Sequence, residues 1–132
     1  MTFKNDTHKV IFKTYLVASP LKYPKDFLAA VFLLSAEKEL WRRTKKAIKK
    51  KKICFEEIEK AGLSAYAFAL YHIAHDIYNG THYVILKDLG DEYLISDKTF
   101  DMAVSALEIS RNGYSAFGMN KQIREVNENG LG

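Results

Sequence analysis

Positions 42–52 hold the densest group of residues that could do chemistry: eight of the eleven are lysine or arginine, and none is acidic. Such a run repels itself, so it must be solvated or face an acidic partner. Basic side chains bind phosphates by releasing condensed counterions, which makes the binding independent of sequence and sensitive to salt. Trp41 or nearby tyrosines could stack on an exposed base. The predicted binding residues are Trp41, Arg42, Arg43, Lys45, Lys46, Lys49, Lys50, Lys51 and Lys52.

A second group of reactive residue types lies on one predicted helix. His72 and Asp76 are four residues apart on one helical face, and His82 follows, so the three could chelate a metal ion. The pattern lacks the intervening glutamate of the zinc-protease helix and a cysteine pair for a structural zinc site. The plainer interpretation is the polar flank of an amphipathic helix. We therefore expect no metal and no cofactor, with these three residues as the weak candidates.

The single cysteine, Cys54, follows the lysine run directly. Neighbouring cations can lower the pKa of a thiol, but a nucleophile also needs a positioned base, and no sequence feature places a histidine nearby. The chain contains no phosphate-cradling glycine loop and no serine-elbow motif. The sequence therefore predicts a protein that is not an enzyme, with metal-dependent catalysis as a distant alternative.

Hydrophobic periodicity predicts the elements that position these residues: a mainly all-α single domain of five or six helices over residues 1–132. Residues 82–86 are rich in β-branched and aromatic types, so they form either a short strand or a buried lead-in. The C-terminal tail, about residues 120–132, is polar and is expected to fray. The predicted helices cover residues 6–18, 24–34, 36–50, 64–78 and 97–111, with one further turn at 87–89.

The third predicted helix, residues 36–50, carries most of the basic run. Ser35 is its expected N-cap. Its apolar stripe is narrow, so cations cover the remaining surface. The plainer interpretation of this surface is a solvated face that aids solubility. We expect no membrane partner, because only Leu40, Trp41 and Ile48 would enter lipid.

The last predicted helix, residues 97–111, has one apolar side. Phe100, Ala103, Val104 and Leu107 recur there at positions i, i+3, i+4 and i+7. A side of this kind is typical of a helix that packs on a core.

The charge is distributed unevenly along the chain. Residues 1–62 hold 15 Lys and Arg against seven Asp and Glu, whereas residues 63–132 hold five against nine. The acidic half could meet the basic segment of a neighbouring copy, which would make the polarity a signal for self-association. The sequence therefore leaves a homodimer open.

Several stretches resemble small helical proteins of unassigned function that are encoded by phages and mobile elements of low-GC Gram-positive bacteria. These stretches are Phe-Lys-Asn-Asp-Thr-His at 3–8, the helix start at 25–34, Leu-Tyr-His-Ile-Ala-His-Asp-Ile-Tyr-Asn-Gly at 70–80, and Leu-Ile-Ser-Asp-Lys-Thr-Phe at 94–100. The resemblance implies a helical fold and a mobile-element setting, and it supplies no catalytic residues. In that setting small proteins often bind host or phage machinery, including host defence nucleases such as CRISPR effectors.

The leading hypothesis is a cytoplasmic, non-enzymatic protein whose basic helix docks on nucleic acid or on a nucleoprotein complex. Blocking a nucleic-acid channel in this way would act by steric and electrostatic competition. The alternative is a protein–protein interaction or homodimeric regulatory module that uses an aromatic and apolar patch, for which eight tyrosines and eight phenylalanines offer anchors. The lone cysteine and the lack of a signal peptide or membrane span favour the cytoplasm.

Overall fold

The computed structural model describes residues 2–17 and 23–117, which form six α-helices, two short strands and two 3-10 segments. The predicted mainly α-helical fold is confirmed. No helix in these two ranges is long and apolar enough to cross a membrane. The helices are α1 Asp6–Val17, α2 Lys25–Leu34, α3 Lys38–Lys45, α4 Ala65–Asn79, α5 Leu86–Leu89 and α6 Asp97–Asn112. The strands are β1 Ile48–Lys49 and β2 Lys52–Ile53, and the 3-10 segments are Phe55–Glu57 and Gly113–Phe117.

Helix α2 is the centre of the core. Every residue from Phe27 to Leu34 is buried, and the helix packs against both α4 and α6. A helix that is apolar on all sides is stable only when neighbours cover all of it. Pro24 stands at its N-cap with φ −58°, where the missing N–H of proline has no helical partner to lose. Helix α2 therefore provides the fixed frame on which the outer elements are placed.

Helix α1 is anchored to this core by an aromatic cluster. Asn5 caps the helix, because its side-chain oxygen accepts the N–H of His8 at 2.8 Å. The Phe3 ring lies 6.0 Å from the Phe12 ring and 5.6 Å from the Phe32 ring, so it staples the entry of the helix onto the core. The predicted stop near residue 18 lies outside the described residues.

The predicted third helix is wrong at both ends. The N-cap is Glu37, not Ser35, because the Glu37 carboxylate accepts the N–H groups of Glu39 and Leu40 at 3.2 and 2.6 Å. The helix ends at Lys45, and the chain then turns into an antiparallel hairpin instead of continuing to residue 50.

That hairpin is held by pairing across its two strands. Ile48 pairs with Ile53, and Lys49 pairs with Lys52. Ile53 is buried, and the N–H of Cys54 donates to the carbonyl of Ala47 at 2.9 Å. A β-branched pair with one buried member favours strand pairing over further helix. The small sheet of the described chain therefore lies at 48–53.

Neither alternative for residues 82–86 holds, because the segment is not a strand and all of it except the half-buried Val84 is exposed. Residues 81–85 have no regular secondary structure, and α5 begins at Leu86 as the single helical turn expected there. Ser96 caps α6 by accepting the N–H of Thr99 at 3.2 Å. The predicted fraying tail, about residues 120–132, lies outside the described part of the chain.

Helix α6 turns a different side to the core from the one predicted. Its buried residues include Met102, Ala106 and Ile109, together with Ala103, the one predicted member that is buried. The other three predicted residues are exposed by 38–48%. They are Phe100, Val104 and Leu107. The helix therefore has a second apolar side that faces solvent.

Candidate functional site

The eight cations of residues 42–52, named here the basic surface, are divided between two elements. One group ends α3 or follows it, and the other forms the hairpin. The first group is Arg42, Arg43, Lys45 and Lys46, and the second is Lys49, Lys50, Lys51 and Lys52. The lysine run is therefore presented on a turn rather than along one helix.

Trp41 does not belong to the contact surface. It is buried and packs edge-on against Tyr15, with ring centroids 5.4 Å apart and an interplanar angle of 89°. A ring in this position supports α3 from below and cannot stack on a nucleic-acid base. The predicted stacking role of Trp41 is wrong.

Glu39 engages both arginines. Arg42 donates to its two carboxylate oxygens at 3.0 and 2.5 Å, and Arg43 donates at 2.9 Å. These hydrogen bonds lower the pKa of Glu39 to about 2, and the contribution of Arg42 is larger than that of Arg43. One carboxylate thus neutralises one of two guanidinium groups, and a net positive charge remains at the end of α3.

Arg43 also has a structural role. It donates to the carbonyl oxygens of Glu59 and Ala61 at 2.6 and 2.8 Å, and only 17% of its side chain is exposed. Its guanidinium therefore fastens the segment before α4 to α3. Arg43 is one of the predicted binding residues, and its binding of a phosphate would require these bonds to break.

The lysines differ in what they contact. Lys49 pairs with Glu57 at 2.9 Å, and the Lys51 ammonium lies 5.4 Å from the centre of the Tyr23 ring. The other four make no side-chain hydrogen bond or ion pair with any residue in the described ranges, and all four are exposed. They are Lys45, Lys46, Lys50 and Lys52. These four amines are available to an external anion.

The hairpin turn places lysines in an unfavourable backbone conformation. Lys50 has φ 52° and Lys51 has φ 64°, so both lie in the left-handed region. A two-residue turn of this kind favours Asn-Gly, because a side chain with Cβ costs about 1–2 kcal/mol per residue there. Lysine at both positions therefore adds charge at the expense of local stability.

The three weak candidates for metal ligation are His72, Asp76 and His82, and the side chains of the first two make other contacts. The Asp76 carboxylate accepts the Thr81 hydroxyl at 2.6 Å and the N–H groups of Tyr83 and Val84 at 2.9 and 2.7 Å. The His72 ring stacks on Tyr83 with centroids 5.0 Å apart, and His82 is exposed. Within the described ranges, no group of three or more His, Cys, Asp and Glu residues could hold a metal ion. Asp76 instead holds the loop between α4 and α5 in place.

Removal of the Asp76 carboxylate should loosen that loop. We expect Asp76→Ala to destabilise the fold by about 2 kcal/mol, since three donors lose a charged acceptor. Hydrogen exchange should accelerate at the amides of Tyr83 and Val84 while the amides of α2 stay protected. Asp101→Ala, at an exposed position on α6, is the matched control and should change neither quantity. Unchanged exchange at Tyr83 and Val84 in Asp76→Ala would contradict this role.

The Cys54 thiol is less acidic than its basic neighbours suggest. Its hydrogen bond to the Glu57 carboxylate raises its pKa, and burial adds to the effect. The thiol therefore stays protonated near neutral pH, which disfavours a nucleophilic role.

Sequence reasoning missed an apolar groove between α4, α5 and α6. Its volume is about 640 Å³, and eight of its eleven lining residues are apolar. Leu86 on α5 is 84% exposed at its edge. The signal in the sequence was the set of apolar residues on α6 that was assigned to the core.

No protein-family model, curated protein or solved structure matches the chain. The resemblance to proteins of phages and mobile elements stays a prediction, and function is inferred from the two surfaces described above.

Proposed function

We propose that the protein is a cytoplasmic, non-enzymatic binding protein whose basic surface docks on the phosphate backbone of a nucleic acid, either free or held in a nucleoprotein. The observation that carries this proposal is the hairpin turn, where Lys50 and Lys51 occupy left-handed positions. In the mobile-element setting that the resemblance implies, the nucleic acid would belong to a defence nucleoprotein such as a CRISPR effector.

The available amines set the strength expected of this contact. Four exposed lysines without a carboxylate partner in the described chain can each neutralise one phosphate. Each such contact adds about 0.9 to the slope of log K against log salt on duplex DNA. We therefore expect a slope between about −3 and −4 and little dependence on base sequence.

Fluorescence anisotropy with a labelled DNA duplex and a labelled single strand tests this proposal. Replacement of the four available lysines by glutamine is expected to lower the affinity at least about thirtyfold near 100 mM salt and to remove most of the slope. The variant carries Lys45→Gln, Lys46→Gln, Lys50→Gln and Lys52→Gln.

A second quadruple variant controls for net charge. It replaces four exposed lysines outside the basic surface, and its affinity for DNA should fall less than about threefold. It carries Lys9→Gln, Lys13→Gln, Lys38→Gln and Lys87→Gln. Equal losses in the two variants, or no binding by the unaltered protein at low salt, would refute the proposal.

The apolar groove supports a second function, the docking of another protein. It is built from α4, α5 and α6, whereas the basic surface is built from α3 and the hairpin. The two functions therefore use different elements and can be tested by separate variants.

A further inference from the structure

We propose that the groove between α4, α5 and α6 binds an amphipathic α-helix with basic flanks, contributed by a partner protein. Ile73 and Ile77 of α4, Leu89 of α5, and Ala103 and Leu107 of α6 line it. A concave apolar surface of about 640 Å³ has the size of a typical binding cleft. This inference does not depend on the basic surface.

Three large apolar residues at the groove are strongly exposed to water. Leu86 is 84% exposed, Ile85 50% and Leu107 48%. All three line the same groove. Contiguous exposure of large apolar side chains marks interaction sites in soluble proteins, because water contact with them is costly.

The exposed side of α6 has the repeat that a docked helix would match. Phe100, Val104 and Leu107 stand at i, i+4 and i+7, and each is at least 38% exposed. These positions form one stripe over two helical turns, about 10 Å long. A helix that lies in a groove uses anchors with the same i, i+3 or i+4, i+7 spacing.

The charges beside the groove indicate which helix fits. Residues 85–112 contain six acidic and three basic side chains. On α6, the exposed residues Asp97 and Asp101 occupy positions next to the exposed stripe. Basic flanks complement this rim, whereas a second copy of the chain would bring two acidic rims together. The charge therefore favours a basic helix over a symmetric dimer.

The wall of the groove is already ordered without a partner. The Asp76 carboxylate accepts a hydrogen bond from the N–H of Val84 at 2.7 Å, and the Asp88 carboxylate accepts one from the N–H of Ile85 at 3.2 Å. A partner helix would meet a formed surface, which reduces the entropy that binding must overcome.

Three designed peptides of about 14 residues test the proposal by fluorescence anisotropy. The first has leucines at i, i+3, i+4 and i+7 with lysine flanks, the second has glutamate flanks, and the third has the composition of the first in scrambled order. We expect the first to bind at least about tenfold tighter than either of the others.

Substitutions in the groove complete the test. Leu86→Gln and Leu107→Gln should each weaken binding of the lysine-flanked peptide at least about tenfold. Val10→Gln, at a 62% exposed site on α1, should leave it unchanged. Circular dichroism checks that each variant retains its helical content.

Several results would overturn the inference. Equal affinity for the lysine- and glutamate-flanked peptides would show that charge does not select the partner. If Val10→Gln lowers affinity for the lysine-flanked peptide as much as the groove variants do, the peptide does not bind in the groove. Sedimentation that shows a dimer of the unaltered protein, broken by Leu107→Gln, would assign the groove to a second copy. Binding of decanoate without binding of any peptide would assign it to a small apolar ligand.

Discussion

Acidification from pH 7 to pH 4 is expected to destabilise the fold by about 3 kcal/mol through one buried histidine. Only 2% of His8 is exposed, and burial lowers its pKa from 6.5 to about 4. Nδ1 accepts the N–H of Lys4 at 3.0 Å, so Nε2 carries the proton and donates to the carbonyl of Phe32 at 2.8 Å. A second proton on Nδ1 would face the Lys4 N–H donor.

The direction of the effect follows from proton uptake. Between pH 6.5 and about pH 4 the unfolded chain binds a proton that folded His8 does not, so stability falls as the pH falls through this window. The contribution of His8 is fully present above pH 6.5. Urea denaturation at several pH values measures the free energy of unfolding directly.

Two variants separate His8 from the other titrating groups. His8→Gln keeps a donor and an acceptor but cannot ionise, so its stability should change little between pH 6.5 and pH 4. His82→Gln, at an exposed position, should follow the unaltered protein. If the free energy of unfolding of His8→Gln falls on acidification as much as that of the unaltered protein, His8 is not the cause of the acid destabilisation.

Elements with local stop and start signals could be predicted from the sequence. Ser64 caps α4 by accepting the N–H of Ala67 at 3.1 Å, and Gly80 ends it with φ 70°. Both roles depend on residues within four positions, so no knowledge of the tertiary structure is needed. The same holds for Ser96 at the start of α6.

The basic hairpin could not be predicted in this way. A lysine run is compatible with helix, and the pairing that ends the helix joins Ile48 to Ile53 across the run. Its stability depends on burial of Ile53 against the rest of the molecule, which helical periodicity does not report. Tertiary packing thus overrides local preference at Lys46 and beyond.

The groove was missed because α6 has two apolar sides. Met102, Ala106 and Ile109 form one side, while Phe100 and Leu107 belong to the other. A single sequence cannot show which side meets α2, since both repeat at helical spacing. Apart from Ala103, the side that was assigned to the core is the one that the fold leaves in solvent.

Replacement of the hairpin turn should change stability and binding in opposite directions. Lys50→Asn with Lys51→Gly provides the residue types that left-handed positions favour, so we expect the free energy of unfolding to rise by about 1–2 kcal/mol. Of the two turn lysines only Lys50 is among the four available amines, because the Lys51 ammonium lies over the Tyr23 ring, so affinity for labelled duplex DNA should fall about threefold near 100 mM salt. The salt slope should decrease by about one.

A charge-only variant distinguishes the two effects. Lys50→Gln with Lys51→Gln removes the same cations but keeps a Cβ at both left-handed positions, so DNA affinity should fall equally while stability does not rise. Urea denaturation and anisotropy on the same samples provide both readings. If the Asn-Gly variant binds DNA as tightly as the unaltered protein, the turn lysines are not selected for an acidic partner, and the basic surface must be assigned to another role.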